Sequence, residues 1–291
     1  MSGNGKSDVV IGFELLIKNI EPSLFEYTSV SRCQAAIEAY LGQYISTFTT
    51  VLPGAFARNT MVSPLNESVV DMLVLFNQKH RSEFRPADLL KKLDLTLRAK
   101  YPGTLFDEKT ESVYVPIENF EFRVQPGFIT DEHHYLVPAV GWNDWVEYDS
   151  IGYKNQFGRA NSEHQGKLVH VVRMMKTWNR LCGNIFNGYF LELLVKDVLA
   201  GYEIQTYPAA ISYIFRAILA DVALRKHDPA NLSLQVEGLS ELEELVHAMI
   251  HVKSSYLVTL QALNSEEEGC MEAAISNWEK LFPQCICMPQ A

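Results

Sequence analysis

A short run of apolar residues with one acid inside it constrains the fold more than any other feature of the chain. Six of the eight residues from Val69 to Phe76 are valine, leucine or methionine, and Asp71 is the single charge. A run of this length and composition predicts a β-strand that is buried on both faces. Because a charge inside a buried strand requires a partner, Asp71 is expected either to pair with a cation, for which Arg123 is the obvious candidate, or to serve a functional site.

The rest of the chain divides into a mixed region of helices and strands and a later helical region. Segment 129–165 is polar and aromatic and predicts a long connection, a kind of segment that is often functional. The other predicted elements are two helices within 9–47, a helix over 86–100, paired strands at 113–117 and 120–125, and helices at 168–178, 190–198, 209–224, 239–263 and 266–281.

These elements predict an α+β fold with two lobes, a small mixed sheet and a cleft between the lobes. The order of elements shows no internal repeat and no low-complexity segment. The predicted boundaries are a flexible N-terminal segment at 1–8, an α/β core lobe at 9–165, a helical lobe at 166–283 and a tail at 284–291.

The composition narrows the class of protein and its compartment. Hydrophobic residues make up 47% of the 291 residues and charged residues 21%, which favours a globular core over disorder. A net charge of −10 argues against wrapping of nucleic acid. The chain has no apolar run long enough for a membrane span, no apolar stretch typical of a signal peptide, and only five cysteines. We therefore expect a cytoplasmic protein with no membrane partner.

One motif and its spacing carry the chemistry. Gly54 and Ala55 open a turn, Arg58 and Thr60 follow, and Pro64-Leu65 precedes the strand that contains the acid. This pattern resembles the signature of nucleotidyltransferases of the polymerase-β type. More narrowly, it resembles the cGAS/DncV-like nucleotidyltransferases, or CD-NTases, of bacterial antiviral signalling (CBASS).

The resemblance implies a phosphate site and a metal site. In that family a Gly-Ser pair at a helix N-terminus offers backbone N–H groups and a hydroxyl to a triphosphate. Two aspartates at positions i and i+2 of the strand point to the same face. Together with a third aspartate on a neighbouring strand, they hold two Mg²⁺ ions, which activate the attacking hydroxyl and neutralise the leaving pyrophosphate.

Later segments extend the resemblance to about residue 283. Segment 175–179 resembles a helical Lys-x-Trp-Asn element whose lysine reaches donor phosphates, and segment 188–192 resembles a Ser-Tyr-x-x-Glu helix start. The nucleotide-binding residues that the resemblance implies are Gly54, Ala55, Arg58, Thr60, Asp71, Arg123, Lys176, Asn179 and Gly188.

The chain departs from the family pattern at positions that catalysis needs. Ala55 replaces the serine of the Gly-Ser pair, Val69 stands at the first aspartate and Arg123 at the third, so Asp71 alone remains. Two divalent ions beside one carboxylate and a guanidinium would be poorly compensated. The sequence therefore predicts a catalytically degenerate member, with no cofactor, in which Arg123 and Lys176 neutralise a phosphate without a metal. The expected partners are a nucleotide or cyclic nucleotide in the cleft, and a protein partner or effector.

Two alternatives to this interpretation stay open. In the first, Glu121 joins Asp71 in a rearranged Mg²⁺ site, and the protein is an active enzyme that makes a cyclic or linear oligonucleotide. In the second, aromatic residues such as Trp142, Trp145 and Tyr148 fill the cleft instead of stacking on a base, and the chain is a ligand-free scaffold subunit.

A zinc site is the weaker interpretation of the late histidines and cysteines. His247 and His251 are four residues apart on one helix face, and Cys270, Cys285 and Cys287 follow them. Imidazole and thiolate are the usual ligands of zinc, but this spacing matches no common zinc motif. We expect ordinary surface histidines and a loose tail here, and the same holds for His133 and His134 in the connection.

Overall fold

The computed structural model describes residues 7–45, 48–108, 110–130, 134–139, 141, 144–220, 225–239, 241–283 and 285–286. Within these ranges the first ten elements are α1 (Asp8–Ile20), α2 (Leu24–Leu41), β1 (Phe48–Val51), α3 (Gly54–Ala57), β2 (Val69–Asn77), α4 (Pro86–Lys100), β3 (Leu105–Asp107), β4 (Ser112–Ile117), β5 (Phe120–Ile129) and β6 (Tyr135–Pro138). The later elements are β7 (Trp145–Tyr148), α5 (Ser150–Glu163), α6 (Lys167–Leu181), α7 (Gly188–Val198), α8 (Tyr207–Ala220), β8 (Arg225–Asp228), β9 (Asn231–Glu237), α9 (Leu242–Glu267) and α10 (Met271–Leu281).

A mixed sheet organises the first half of the described chain, and the predicted α+β class is confirmed. Its strands lie in the order β1-β2-β5-β4-β3, and β6 joins β5 to β7 at one end. Strands β2 and β5 are parallel, with Asp71 opposite Arg123, whereas the other neighbouring strands are antiparallel. The parallel pairing places the two positions that the family signature links side by side.

The predicted strand at 69–76 forms, but its burial changes along its length. Residues Met72 to Phe76 are buried, as the apolar run predicts, whereas Val69 is 40% exposed and Asp71 is partly exposed. The strand therefore runs from the protein surface into the core. Burial of large side chains on it and on α4, such as Val74 and Leu93, stabilises the sheet by about 1.5–3 kcal/mol each.

The described chain forms two compact units. One contains Pro22–Gly158 with Asp228–Leu234, which we call the sheet unit, and the other contains Met1–Glu21, Arg159–His227 and Gln235–Ala291, which we call the helical unit. The grouping of α1 with the helical unit differs from the predicted boundary at residue 9. It has a physical reason, because the Phe13 ring packs edge-on against Trp278 of α10, with 5.0 Å between ring centroids.

One predicted segment is wrong in secondary structure, and another can be followed only in part. The segment 129–165 is not one long connection, because its described part contains β6, β7 and α5. The helix predicted over 209–224 forms as α8 as far as Ala220, residues 221–224 lie outside the described residues, and the two-stranded sheet of β8 and β9 begins at Arg225. By contrast, the helix over 86–100 and the strands on either side of Glu118 form as predicted. No described helix is both long and apolar enough to cross a membrane.

Candidate functional site

The Asp71 carboxylate on β2 forms an ion pair with Arg123 on the neighbouring strand β5. Arg123 donates to Asp71 Oδ1 from Nε at 2.7 Å, and its Nη2 lies 2.6 Å from the same oxygen. The charge of Asp71 is the main reason that the pKa of Arg123 is raised, and a hydrogen bond with Tyr114 adds to it. Asp71 and Arg123 keep side-chain exposures of 29% and 38%, so the pair remains accessible to solvent.

Gly54 approaches the other oxygen of the same carboxylate. Its φ of +68° is a left-handed conformation that glycine adopts without strain. A Cβ added at Gly54 would lie 2.7 Å from Asp71 Oδ2, which is too close for any side chain. The glycine of the motif is therefore required by its contact with Asp71, whatever the chain binds. Ala55 follows in the four-residue helix α3 and packs against the hydrophobic core of the sheet unit.

Arg58 and Thr60 are held inside the sheet unit. Arg58 is 7% exposed, and its guanidinium carbon lies 4.8 Å from the centre of the Tyr153 ring, which is a cation–π contact. The side chain of Thr60 is fully buried, and its backbone N–H donates to the carbonyl oxygen of Ala55 at 2.9 Å. The structure thus gives Thr60 a packing role, whereas Arg58 is a buried cation that contacts an aromatic ring.

Tyr148 interacts with several charges of the site, which the sequence did not reveal. Burial is the main cause of its raised pKa, and the positive charge of Arg58 opposes this increase. Asp228 and Asp71 raise the pKa further, and Arg123 lowers it. We call these five residues the Asp71 cluster, and all of them belong to the sheet unit.

The donor groups around Asp71 do not fit the two-Mg²⁺ site that the family resemblance implies. Val69 offers no oxygen, and Asp71 Oδ1 already accepts from Arg123. Glu121 is exposed and lies opposite Val69 in the strand register, two positions away from the pair of Asp71 and Arg123. Among the described residues, no three histidine, cysteine, aspartate or glutamate side chains come together as metal ligands. Hard cations such as Mg²⁺ need several oxygen ligands, and the side chains around Asp71 supply too few of them.

Lys176 lies in the helical unit, on α6. Its Nζ lies 2.8 Å from Glu192 Oε2, and this ion pair is almost fully buried, with side-chain exposures of 13% and 0%. A buried glutamate needs such a cation because an uncompensated charge away from water is costly. The lysine that the resemblance assigns to phosphate is thus engaged with a carboxylate of α7.

Asn179 and Gly188 shape the connection between α6 and α7. The side chain of Asn179 is buried, its Nδ2 donates to the Phe186 carbonyl oxygen at 2.8 Å, and its Oδ1 accepts from Phe186 N at 2.9 Å. A Cβ added at Gly188 would meet nothing within 4 Å, so packing does not require glycine there. Nucleotide binding by Asn179 and Gly188 stays a prediction. Asn179 also has a structural role that the sequence did not indicate.

The structure places Trp145 in the hydrophobic core and brings His247 and His251 together on α9. Trp145 is 8% exposed, stacks edge-on against Phe128 with centroids 4.8 Å apart, and belongs to the hydrophobic core. The Nε2 atoms of His247 and His251 are 3.2 Å apart on α9, and no further candidate metal ligand joins them among the described residues. Trp142, His133 and Cys287 lie outside the described residues.

Comparisons with known proteins agree with this fold. The family described as Second Messenger Oligonucleotide or Dinucleotide Synthetase domain matches residues 8–161, about half of the chain. A relative from Bacillus cereus (strain VD146), described as a probable cyclic nucleotide synthase, is 20% identical over 281 residues, which cover 84% of this chain and 82% of the relative.

Three solved structures show the extent of the fold similarity. The E. coli MS115-1 CdnC:HORMA-deltaN complex is 14% identical with a TM-score of 0.72, covering 99% of this chain and 100% of that one. CdnC from the same strain with ATP is 16% identical with a TM-score of 0.72, covering 97% and 99%. Vibrio cholerae DncV cyclic AMP-GMP synthase with a linear intermediate is 13% identical with a TM-score of 0.66, covering 97% and 87%.

Proposed function

The chain belongs to the Second Messenger Oligonucleotide or Dinucleotide Synthetase domain family, and from this premise we propose that it is a catalytically degenerate member that binds a nucleotide without synthesising a product. By this proposal its role lies in bacterial antiviral signalling, which the family resemblance supports. The observation that carries the proposal is the ion pair between Asp71 and Arg123.

The ion pair argues against metal-dependent catalysis on electrostatic grounds. The family reaction needs carboxylates that compensate two divalent cations at the reacting phosphate. Here the one remaining carboxylate of the motif accepts from a guanidinium at 2.7 Å. A metal ion at Asp71 would displace this guanidinium from the carboxylate. The guanidinium would then have lost the charge that compensates it, and the metal ion would lie beside this uncompensated positive charge.

The same residues are suited to holding a phosphate directly. A guanidinium carries five N–H donors in a planar fork that matches phosphate oxygens, and Asp71 and Tyr114 together engage only part of it. Asp71 fixes the direction of Arg123, and the partly exposed guanidinium is left to face an anion. Arg58 adds a second positive charge to the Asp71 cluster, where it and Arg123 both act to lower the pKa of Tyr148.

A paired assay of catalysis and binding tests this proposal. We expect the full chain with mixed ribonucleoside triphosphates and Mg²⁺ or Mn²⁺ to release no pyrophosphate. We also expect at least one nucleotide to raise the melting temperature, and to do so equally with Mg²⁺ and with EDTA. At a hundredfold excess of nucleotide over its dissociation constant, binding adds about 2.7 kcal/mol to the free energy of unfolding. Arg123→Gln should abolish this shift. Steady pyrophosphate release that Asp71→Ala removes would overturn the proposal.

An active enzyme with rearranged ligands is a second candidate, because Glu121 is exposed and follows the same strand face as Arg123. This candidate predicts product formation from nucleoside triphosphates that depends on Glu121. Unchanged turnover in Glu121→Gln would exclude this arrangement of ligands, and a complete absence of turnover in the parent chain would exclude the candidate itself.

A scaffold without a ligand is a third candidate, supported by the similarity to CdnC, which forms a complex with a HORMA protein. It predicts that no common nucleotide changes the melting temperature of the chain. A nucleotide-induced shift that Arg123→Gln abolishes would decide against this candidate and for the first one.

A further inference from the structure

Helix α9 leaves several large aliphatic side chains exposed on the surface of the helical unit. Val246 is 53% exposed, Ile250 62% and Leu257 50%. A surface helix normally shows polar residues to solvent and buries its aliphatic ones. These exposed aliphatic residues depart from that pattern, and they need an explanation at the level of binding.

The exposed aliphatic residues lie on a stripe with the spacing of a coiled coil. Val246, Ile250, Leu257 and Leu260, together with exposed polar residues between and beyond them, follow one another at alternating steps of three and four, which is the spacing of a seam that packs against another helix. We call this stripe the outer seam; it consists of Glu243, Val246, Ile250, Lys253, Leu257, Leu260, Asn264 and Glu267. At a rise of 1.5 Å per residue it extends over roughly 36 Å, which is more than three heptads.

The opposite face of α9 already has its partners inside the helical unit. The buried residues there are smaller and repeat at the same steps; they are Ala248, Val252, Ser255, Thr259 and Ala262. Ser255 Oγ accepts from Trp178 Nε1 at 2.8 Å, and the Thr259 hydroxyl donates to Ser212 Oγ at 3.0 Å. Because the inner face packs the helix with small residues, the aliphatic residues of the outer seam add nothing to this packing.

The charges along the outer seam indicate which kind of helix it would accept. Glu243 and Glu267 stand at its two ends, next to Glu241 and Glu244 at one end and Glu268 at the other. Pairing of two α9 copies, parallel or antiparallel, would bring these acidic ends together, and like charges across a helix pair are destabilising. Lys253 in the middle favours an acidic residue opposite.

We propose that the outer seam of α9 docks an amphipathic helix of a partner protein, with aliphatic residues at heptad spacing, lysine or arginine at both ends and an acidic residue in the middle. The aliphatic residues give the contact its binding energy, and the charged ends and Lys253 set the register and exclude a second copy of this chain. This proposal stands independently of the function of the Asp71 cluster.

Binding of two synthetic peptides to the full chain tests the proposal. The first peptide spans about three heptads, with leucine at the seam positions, lysines at both ends and a central glutamate. The second has the same leucines with glutamates at the ends and a central lysine. By fluorescence anisotropy we expect the first peptide to bind at least about tenfold more tightly, a difference of about 1.4 kcal/mol.

Variants of the seam separate specific docking from nonspecific apolar binding. Ile250→Glu/Leu257→Glu should abolish binding, whereas Leu95→Glu, a change at a 61% exposed leucine of α4, should leave it unchanged. Glu243→Lys/Glu267→Lys should reduce the preference for the first peptide. Since all these side chains are exposed, each variant should keep the melting temperature of the parent chain, which monitors folding.

Three results would overturn the proposal. The first is equal binding of both peptides, and the second is binding that survives Ile250→Glu/Leu257→Glu in a folded variant. The third is a dimer of the full chain, measured by light scattering, that this double substitution converts to a monomer, because a second copy would then occupy the seam.

Discussion

The Asp71 carboxylate shows how a single side chain can be kept while its surroundings are replaced. Its position on the strand and its pairing with Arg123 followed from the motif, since parallel strands place equivalent signature positions side by side. The close approach of Gly54 and the proximity of Tyr148 and Asp228 did not follow, because a left-handed φ and a contact between distant segments leave no local pattern in a sequence.

Restoring the lost acids should restore cation binding. We expect Mn²⁺ to raise the melting temperature of Val69→Asp/Arg123→Asp and EDTA to lower it. The two new carboxylates and that of Asp71 repel one another unless a cation compensates them. The parent chain should show no such dependence. The matched control is Val69→Asn/Arg123→Asn, which is polar but uncharged. An equal Mn²⁺ response in this control would contradict the argument.

Replacement of Gly54 should destabilise the sheet unit whether or not a nucleotide binds. Gly54→Ala places a Cβ 2.7 Å from Asp71 Oδ2 at a φ of +68°, so we expect a loss of about 1–3 kcal/mol in urea unfolding. Gly188→Ala is the matched control, since its Cβ meets nothing within 4 Å, and its effect should stay within about 0.5 kcal/mol. Similar losses in the two variants would refute the assigned contact.

Strong local signals predicted the long elements, and weak ones failed at the short elements. The apolar run gave β2 and the start at Pro86 gave α4, because each follows from patterns within its own residues. Strands β6 and β7 have only four residues each; β6 forms because it pairs with the end of β5, and β7 forms because it pairs with β6. Such pairing depends on the rest of the sheet, so the segment 129–165 alone could not reveal it.

The start of α2 depends on one carboxylate, which predicts a pH effect. Glu26 accepts from the backbone N–H groups of Ser23 and Leu65 at 2.8 Å each and from two hydroxyls, including that of Ser63. Burial alone would raise the pKa of Glu26, but these hydrogen bonds together lower it below its ordinary value of 4.5. A carboxylate with a lowered pKa stabilises the fold above 4.5, and this contribution is lost as the pH falls through the folded-state pKa.

We expect Glu26→Gln to cost roughly 1 kcal/mol at pH 7, a value in the range of a lost helix cap. The difference in unfolding free energy between the parent and the variant should shrink as the pH falls below 4.5, because the parent carboxylate then becomes protonated as well. Urea titrations at several pH values between 7 and 3 measure this difference. A difference that stays constant over the whole range would contradict the assigned role of the ionised carboxylate.

At the scale of the whole molecule, the sequence predicted two regions of different character but not their boundaries. The amphipathic spacing of α1 shows that it packs against something, but not against which partner, and the structure groups it with the helical unit through residues such as Phe13. The candidate site divides in a similar way. Arg58, Asp71 and Arg123 belong to the sheet unit, whereas Lys176, Asn179 and Gly188 belong to the helical unit.

The buried pair of Lys176 and Glu192 allows the structural role of the helical unit to be separated from binding. Lys176→Met leaves the glutamate buried without its cation, and we expect a loss of about 3–5 kcal/mol in unfolding. Lys176→Met/Glu192→Leu should recover most of this loss. The stabilisation of the double variant by a nucleotide then shows whether Lys176 also binds a phosphate, because the double variant and the parent chain have similar stability without nucleotide. Equal stability of the single variant and the parent would contradict the assigned pair.

The contact between α1 and α10 joins the first described helix of the chain to the last. During translation Phe13 of α1 leaves the ribosome about 265 residues before Trp278, which receives its ring, as the two residue numbers require. Until then the apolar face of α1 can pack only against parts of the helical unit that are made earlier, such as α6 and Tyr207. The helical unit can therefore reach its final arrangement only after α10 has emerged.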